Sequence, residues 1–122
     1  MWEQIWLELR KELAKQPHCE EHPTLPCVRT LIQRVTNDII EIAETRIRVR
    51  SHRTNRIDDL PAERFECWWD YLQKHGSASL KPGDPNNPHR WRSRVVGAIL
   101  AACLPKRVRF NPVTDELLLA SR

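Results

Sequence analysis

Residues Arg46-Ile47-Arg48-Val49-Arg50 alternate a guanidinium with a branched apolar side chain at every step. Successive side chains of a β-strand point to opposite faces, so this run predicts a strand that buries Ile47 and Val49 and sets Arg46, Arg48 and Arg50 in a row on its other side. A strand with one cationic face needs an anionic partner or open water. The segment continues through Ser51-His52-Arg53-Thr54-Asn55-Arg56, adding Arg53 and Arg56 with no carboxylate before Asp58.

The surrounding charge is laid out in blocks. Residues 46–57 carry five Arg or Lys and residues 85–114 carry six, with no Asp or Glu in either, while the acidic side chains gather in 1–45 and 58–84. The formal net charge is +4, and 15 of the 20 basic residues are arginine, whose planar fork suits phosphate and base edges. A chain of 122 residues with 40% apolar composition supports one modest core, so a single domain, 1–122, is expected.

Met1 to Ala14 reads as an amphipathic helix with Trp2, Ile5, Trp6, Leu9 and Leu13 on one face. A breaker segment with Pro17, Pro23 and Pro26 follows. Residues 27–45 are open to two readings. One is a helix from Pro26 to Val35, a break at Thr36-Asn37-Asp38 and a strand over Ile39 to Ile42. The other is a single helix running to about residue 44. Asp58 or Asp59 is placed to cap the next helix, with Pro61 in its first turn, Phe65, Trp68, Trp69 and Leu72 as its stripe and Gly76 as its stop. A polar loop, Ser77 to Pro88, leads to a final helix from His89 to Leu104. Arg107 to Phe110 and Leu117 to Ala120 form a terminal hairpin. The expected fold class is α+β: four helices and two short β-hairpins around one core, with an N-terminal helix over 1–15 and a nucleic-acid-binding module over 37–120.

The second basic block sharpens the first. His89-Arg90-Trp91-Arg92-Ser93-Arg94 stands where the final helix is predicted to start, so three arginines, a histidine and free backbone N–H groups point one way. The run Ile47 to Thr54, then Asn55-Arg56-Ile57, the helix with Phe65 and Trp69, Gly76, and Arg92-Ser93 opening an apolar helix together resemble small winged-helix-like modules associated with bacterial restriction and other defence nucleases. The resemblance spans roughly 37–110. It implies a DNA-binding or targeting role as an accessory component, with the arginines of both blocks on the contact surface. The Trp-rich N-terminal helix and the Pro/Asn loop depart from such a module.

Two function classes follow. In the first, Arg46, Arg48, Arg50, Arg53, Arg56, His89, Arg90, Arg92 and Arg94 form one surface for nucleic acid, duplex DNA ahead of RNA. That reading needs the two blocks to converge on an exposed patch. Guanidinium groups locked in internal ion pairs, or spread over opposite sides, would undo it. In the second class the chain is a protein-interaction or structural subunit that docks or dimerises through Trp2, Ile5, Trp6 and Leu9. Four of the tryptophans sit on apolar stripes and are expected in the core, and Trp91 is the one placed to stack on a base.

His18, Cys19, His22 and Cys27 are candidate zinc ligands, but their order matches no paired-ligand signature, and an exposed loop without a metal is expected. The four cysteines are widely spread and expected as reduced thiols, with Cys67 and Cys103 as small core residues. Asp58, Asp59 and Glu63 read as helix-start charges rather than a metal-binding nuclease centre, and Ser93 with His89 lacks an orienting partner, so no catalysis and no cofactor are expected. No apolar run approaches the ~20 residues of a membrane span, and the expected location is the cytoplasm.

Overall fold

Apolar side chains at helical spacing along the first fourteen residues fold as α1 (Trp2–Ala14), which buries Ile5, Trp6, Leu9 and Leu13. The structure, a computed structural model, describes residues 1–19 and 24–120. After α1 come β1 (Cys27–Arg29), β2 (Thr36–Ile42), β3 (Arg46–Ser51) and β4 (Ile57–Pro61), then α2 (Ala62–His75), β5 (Ser77–Ser79), α3 (Ser93–Cys103), β6 (Val108–Asn111) and β7 (Glu116–Leu119). Strands β1 to β4 make an antiparallel sheet in chain order, and β5, β7 and β6 make a second antiparallel sheet in that order. Among the described residues the chain is thus a small α+β domain of three helices, not four, and two sheets.

The missing helix is the one expected over Pro26 to Val35. Val28 lies in β1, opposite Asn37 of β2, and the connection closes as a turn in which Thr30 N–H donates to Val35 O and Val35 N–H to Thr30 Oγ1. The helical spacing of Val28, Leu31, Ile32 and Val35 is coincidental, because strand pairing with β2 satisfies the same backbone groups. The single-helix alternative is overturned by the same pairing. Asn37 and Asp38, expected at a break, sit inside β2. Asp58 and Asp59, expected as helix caps, are consecutive residues of β4 and point to opposite faces, one buried and one exposed.

Strand β3 follows the alternation. Ile47 and Val49 are buried, Ile47 opposite Leu60 and Ile42, Val49 opposite Ile39 and Asp58. A bulge between Ile39 and Glu41 inserts Ile40 as an extra residue. Because side-chain direction has a period of two, that residue resets the parity of β2, so Glu41 lands opposite Arg48 and Ile42 opposite Ile47. The first sheet therefore has an inner face that joins the core and an outer face that carries the arginines.

Helix α3 is the centre of the molecule. It packs against α1, α2, β1 and β6, and eight of its eleven residues are buried. Gly97 permits the approach: a Cβ there would collide with the Leu80 side chain. Helix α2 buries Phe65, Trp68, Trp69 and Leu72 and stops at Gly76, whose φ of 81° is the left-handed conformation that glycine adopts without strain and whose N–H caps Leu72 O. Among the described residues no helix is long and apolar enough to cross a membrane.

Candidate functional site: two faces of one sheet

The arginine ladder is compensated by its own neighbours. On the outer face Arg46 meets Glu41 at 3.1 Å and Asp59 at 3.5 Å, Arg48 Nε donates to Asp59 Oδ1 at 2.7 Å, and Arg50 donates to Asp38 Oδ2 at 2.9 Å. The hydrogen bond from Arg48 holds the Asp59 carboxyl below the usual aspartate range, and the same bond raises Arg48. Strand β2 and strand β4 thus supply the anionic partner that the ladder requires. The demand for free cations on Arg46, Arg48 and Arg50 is not met.

The second basic block lies on the other side. Arg92 Nη2 reaches Asp58 Oδ2 at 2.7 Å, and Asp58 belongs to the inner face of β4, with a side chain only 8% exposed. Arg56, in the β3–β4 turn, forms an ion pair with Asp58, its Nε 3.2 Å from Oδ1. One buried carboxylate therefore ties the turn to the start of α3. Around it lies a cavity of about 270 Å³ lined by Arg53, Asp58, Arg92 and Arg94 together with Gln33, Ser51 and other residues of the β1–β2 and β3–β4 turns. Among the described residues Asp58 is the only carboxylate in that lining. Arg53 Nη1 donates to Gln33 Oε1 at 3.1 Å, which joins the two turns across the mouth. Arg94 makes no ion pair among the described residues, and Nε of both Arg92 and Arg94 is buried without a hydrogen-bond partner.

Helix α3 begins later than expected. Its N-cap is Arg92, so His89, Arg90 and Trp91 form the approach rather than the first turn. Arg92 holds φ 54° and ψ 29°, a left-handed conformation that costs a non-glycine residue roughly 1–2 kcal/mol. Such cost is tolerated where a side chain is needed at that point, and here it sends the guanidinium to Asp58. Arg90 is exposed. Desolvation and then the nearby Arg64 guanidinium lower the pKa of the His89 imidazole, so it carries less positive charge than an ordinary histidine. Trp91 is 36% exposed, with Arg64 4.9 Å and Arg92 5.8 Å from its ring centroid. The nine expected site residues divide accordingly: Arg46, Arg48 and Arg50 are outer-face ion pairs, while Arg53, Arg56, Arg92 and Arg94 gather about the cavity and His89 and Arg90 lie on the chain leading to it.

The N-terminal face proposed for docking is occupied from within. Ile5, Trp6 and Leu9 are buried, Trp6 Nε1 donates to Glu44 O at 2.7 Å, and Trp2 is half-buried, stacked 5.9 Å from Trp6. Trp68 and Trp69 are in the core as expected.

The cysteine segment departs most from expectation. Cys19 is buried rather than in an exposed loop, and it is bonded to Cys27 as a disulfide with Cα atoms 5.6 Å apart, not a reduced thiol. His22 lies outside the described residues. Cys103 is buried, which pushes its thiol up to about 12, and Cys67 is half-buried. The neighbours of Cys19 are ones that spacing along the chain does not reveal: Asp38 and His52, brought there by the pairing of β1, β2 and β3. No family model, curated protein or solved structure matches the chain.

Proposed function

We propose that the chain binds nucleic acid, duplex DNA ahead of RNA, through the mouth of the inner-face cavity rather than through the arginine ladder. The observation that carries this reading is the gathering of Arg53, Arg56, Arg92 and Arg94 from two distant basic segments around a lining with Asp58 as its single carboxylate. Exposed Arg90 extends the patch. Guanidinium groups on one turn and a helix start suit the oxygens of successive phosphates, while the ladder, already neutralised, contributes little. The winged-helix mode is part of the proposal only in modified form. Helix α3 is buried along its length, so its first turn, not its face, meets the duplex. The accessory role in a bacterial DNA-processing or defence system belongs to the same proposal.

The test is a titration of the full chain with labelled duplex DNA, single-stranded DNA and RNA at several salt concentrations. With about four phosphates engaged, log affinity falls with log salt at a slope of about −3.5. The triple change Arg53→Ala, Arg90→Ala, Arg94→Ala leaves both ion pairs of Asp58 in place and cuts that slope by about three, whereas Arg48→Ala leaves it unchanged. Salt-insensitive binding, no binding at low salt, or full affinity in the triple variant would overturn the reading.

A further inference from the structure

On the outer face, beyond the ladder, the strand register assembles a group of donors that nucleic-acid binding does not use. Cys27 of β1 stands opposite Asp38 of β2, Asp38 stands opposite Arg50 of β3, and His52 follows two residues later on the same side. The segment after α1 lays Cys19 over them. Cys19 Sγ is 3.2 Å and His52 Nε2 2.8 Å from the same oxygen, Asp38 Oδ1. The three donor atoms all lie within 4.8 Å of one another, and Cys27 Sγ is bonded to the first of them. Zinc bound tetrahedrally at ~2.0–2.3 Å places its ligand atoms roughly 3–4 Å apart, which is the scale of these separations.

We propose that the reduced chain holds a zinc ion at this point through Cys19 Sγ, Cys27 Sγ, His52 Nε2 and Asp38 Oδ1, so that disulfide and metal are alternative states of one site. A dithiol reductant gives two electrons and two protons to the S–S bond and becomes a disulfide itself; zinc then displaces the two thiol protons. Two sulfurs, an imidazole and a carboxylate are a donor set that favours zinc over magnesium or calcium. Charge supports the assignment. Asp38 is fully buried, and two thiolates and its carboxylate are matched by the dication together with Arg50, so the charges of these named groups balance. Arg50 donates to Oδ2 from both Nε, at 3.3 Å, and Nη2, at 2.9 Å, which orients Oδ1 toward the cysteines as an outer-shell partner does. The ion has a way in, because a cavity of about 720 Å³ is lined by His18, Cys19, Cys27 and His52. The proposal is independent of the nucleic-acid reading, and no polyanion enters its test.

The full chain, reduced with a phosphine under argon and desalted, is titrated with Co(II) and then with Zn(II). The expected result is one cobalt per chain with the intense visible bands and thiolate charge-transfer absorption of tetrahedral sulfur-bound cobalt, displaced by zinc. Cys27→Ser abolishes that spectrum, His52→Ala weakens binding by at least about tenfold, Cys67→Ser leaves it unchanged, and the oxidised chain binds none. Since variants in a buried cluster can fail to fold, the parent chain is also alkylated with and without zinc. Protection confined to Cys19 and Cys27, located by peptide mass, supports the site. Equal labelling of those cysteines in both conditions, cobalt binding without thiolate absorption, or undiminished binding in Cys27→Ser or His52→Ala overturns it.

Discussion

Asp58 does more than any other single side chain to shape the inner-face patch. It forms ion pairs with Arg56 and with Arg92 while only 8% exposed, so its removal leaves two guanidinium groups short of a partner, one of them largely enclosed. Asp58→Asn is expected to destabilise the fold by about 1–3 kcal/mol in urea unfolding. Per folded molecule it strengthens DNA binding at low salt, because the one negative charge in the lining is gone. A stability loss accompanied by weaker binding would mean that Asp58 positions the arginines more than it neutralises them. On the other face, Asp59 gives a cleaner electrostatic reading. Its carboxyl is depressed first by the hydrogen bond from Arg48, so its contribution to stability is present above the ordinary aspartate range and is lost as pH falls through the depressed value. In Arg48→Ala the Asp59 titration, followed by NMR of the side-chain carboxyl, moves up toward the ordinary range.

At the scale of elements, the parts of the fold legible in the sequence are those whose signal is local. The stripes of α1 and α2, the stop at Gly76, the β3 alternation and the β6–β7 hairpin all declare themselves within a few residues. What was not legible depends on pairing. Strands β1 and β5 are three residues long, too short for a periodic pattern, and β4 sets two adjacent aspartates in its middle; all three become strands because a neighbour is present. The compensation of the ladder was hidden for the same reason. Counted along the chain, residues 46–57 hold no carboxylate, yet the register sets Asp38, Glu41 and Asp59 beside them from either side. The grouping of Cys19, Cys27, Asp38 and His52 likewise exists only once three strands are aligned. Helix α3 offers a test of packing at this scale. Gly97→Ala drives a methyl group into Leu80, and the expected loss is about 1–3 kcal/mol in thermal or urea unfolding, with the helix otherwise favoured by alanine. An unchanged or raised stability would mean that Leu80 swings aside at little cost.

For the molecule as a whole, the first sheet separates two uses of arginine. Its outer face neutralises its charges locally, and the exposed ion pairs of Arg46 and Arg48 are each worth about 0–1 kcal/mol and are readily screened, while Arg50 pairs with the buried Asp38. The inner-face rim concentrates guanidinium groups with one carboxylate among them. Salt should therefore act unequally on the two, weakening polyanion binding steeply while changing folding stability little. Behind this division stands Ile40, the additional residue in β2. Had Ile40 been paired as an ordinary ladder residue opposite Arg48, Glu41 would be driven into oil opposite Ile47 and Ile42 out into water, and the guanidinium groups above would lose a counter-ion. The electrical character of an entire surface thus hangs on one residue of a seven-residue segment being left out of the ladder, a kind of information that neither composition nor hydropathy carries.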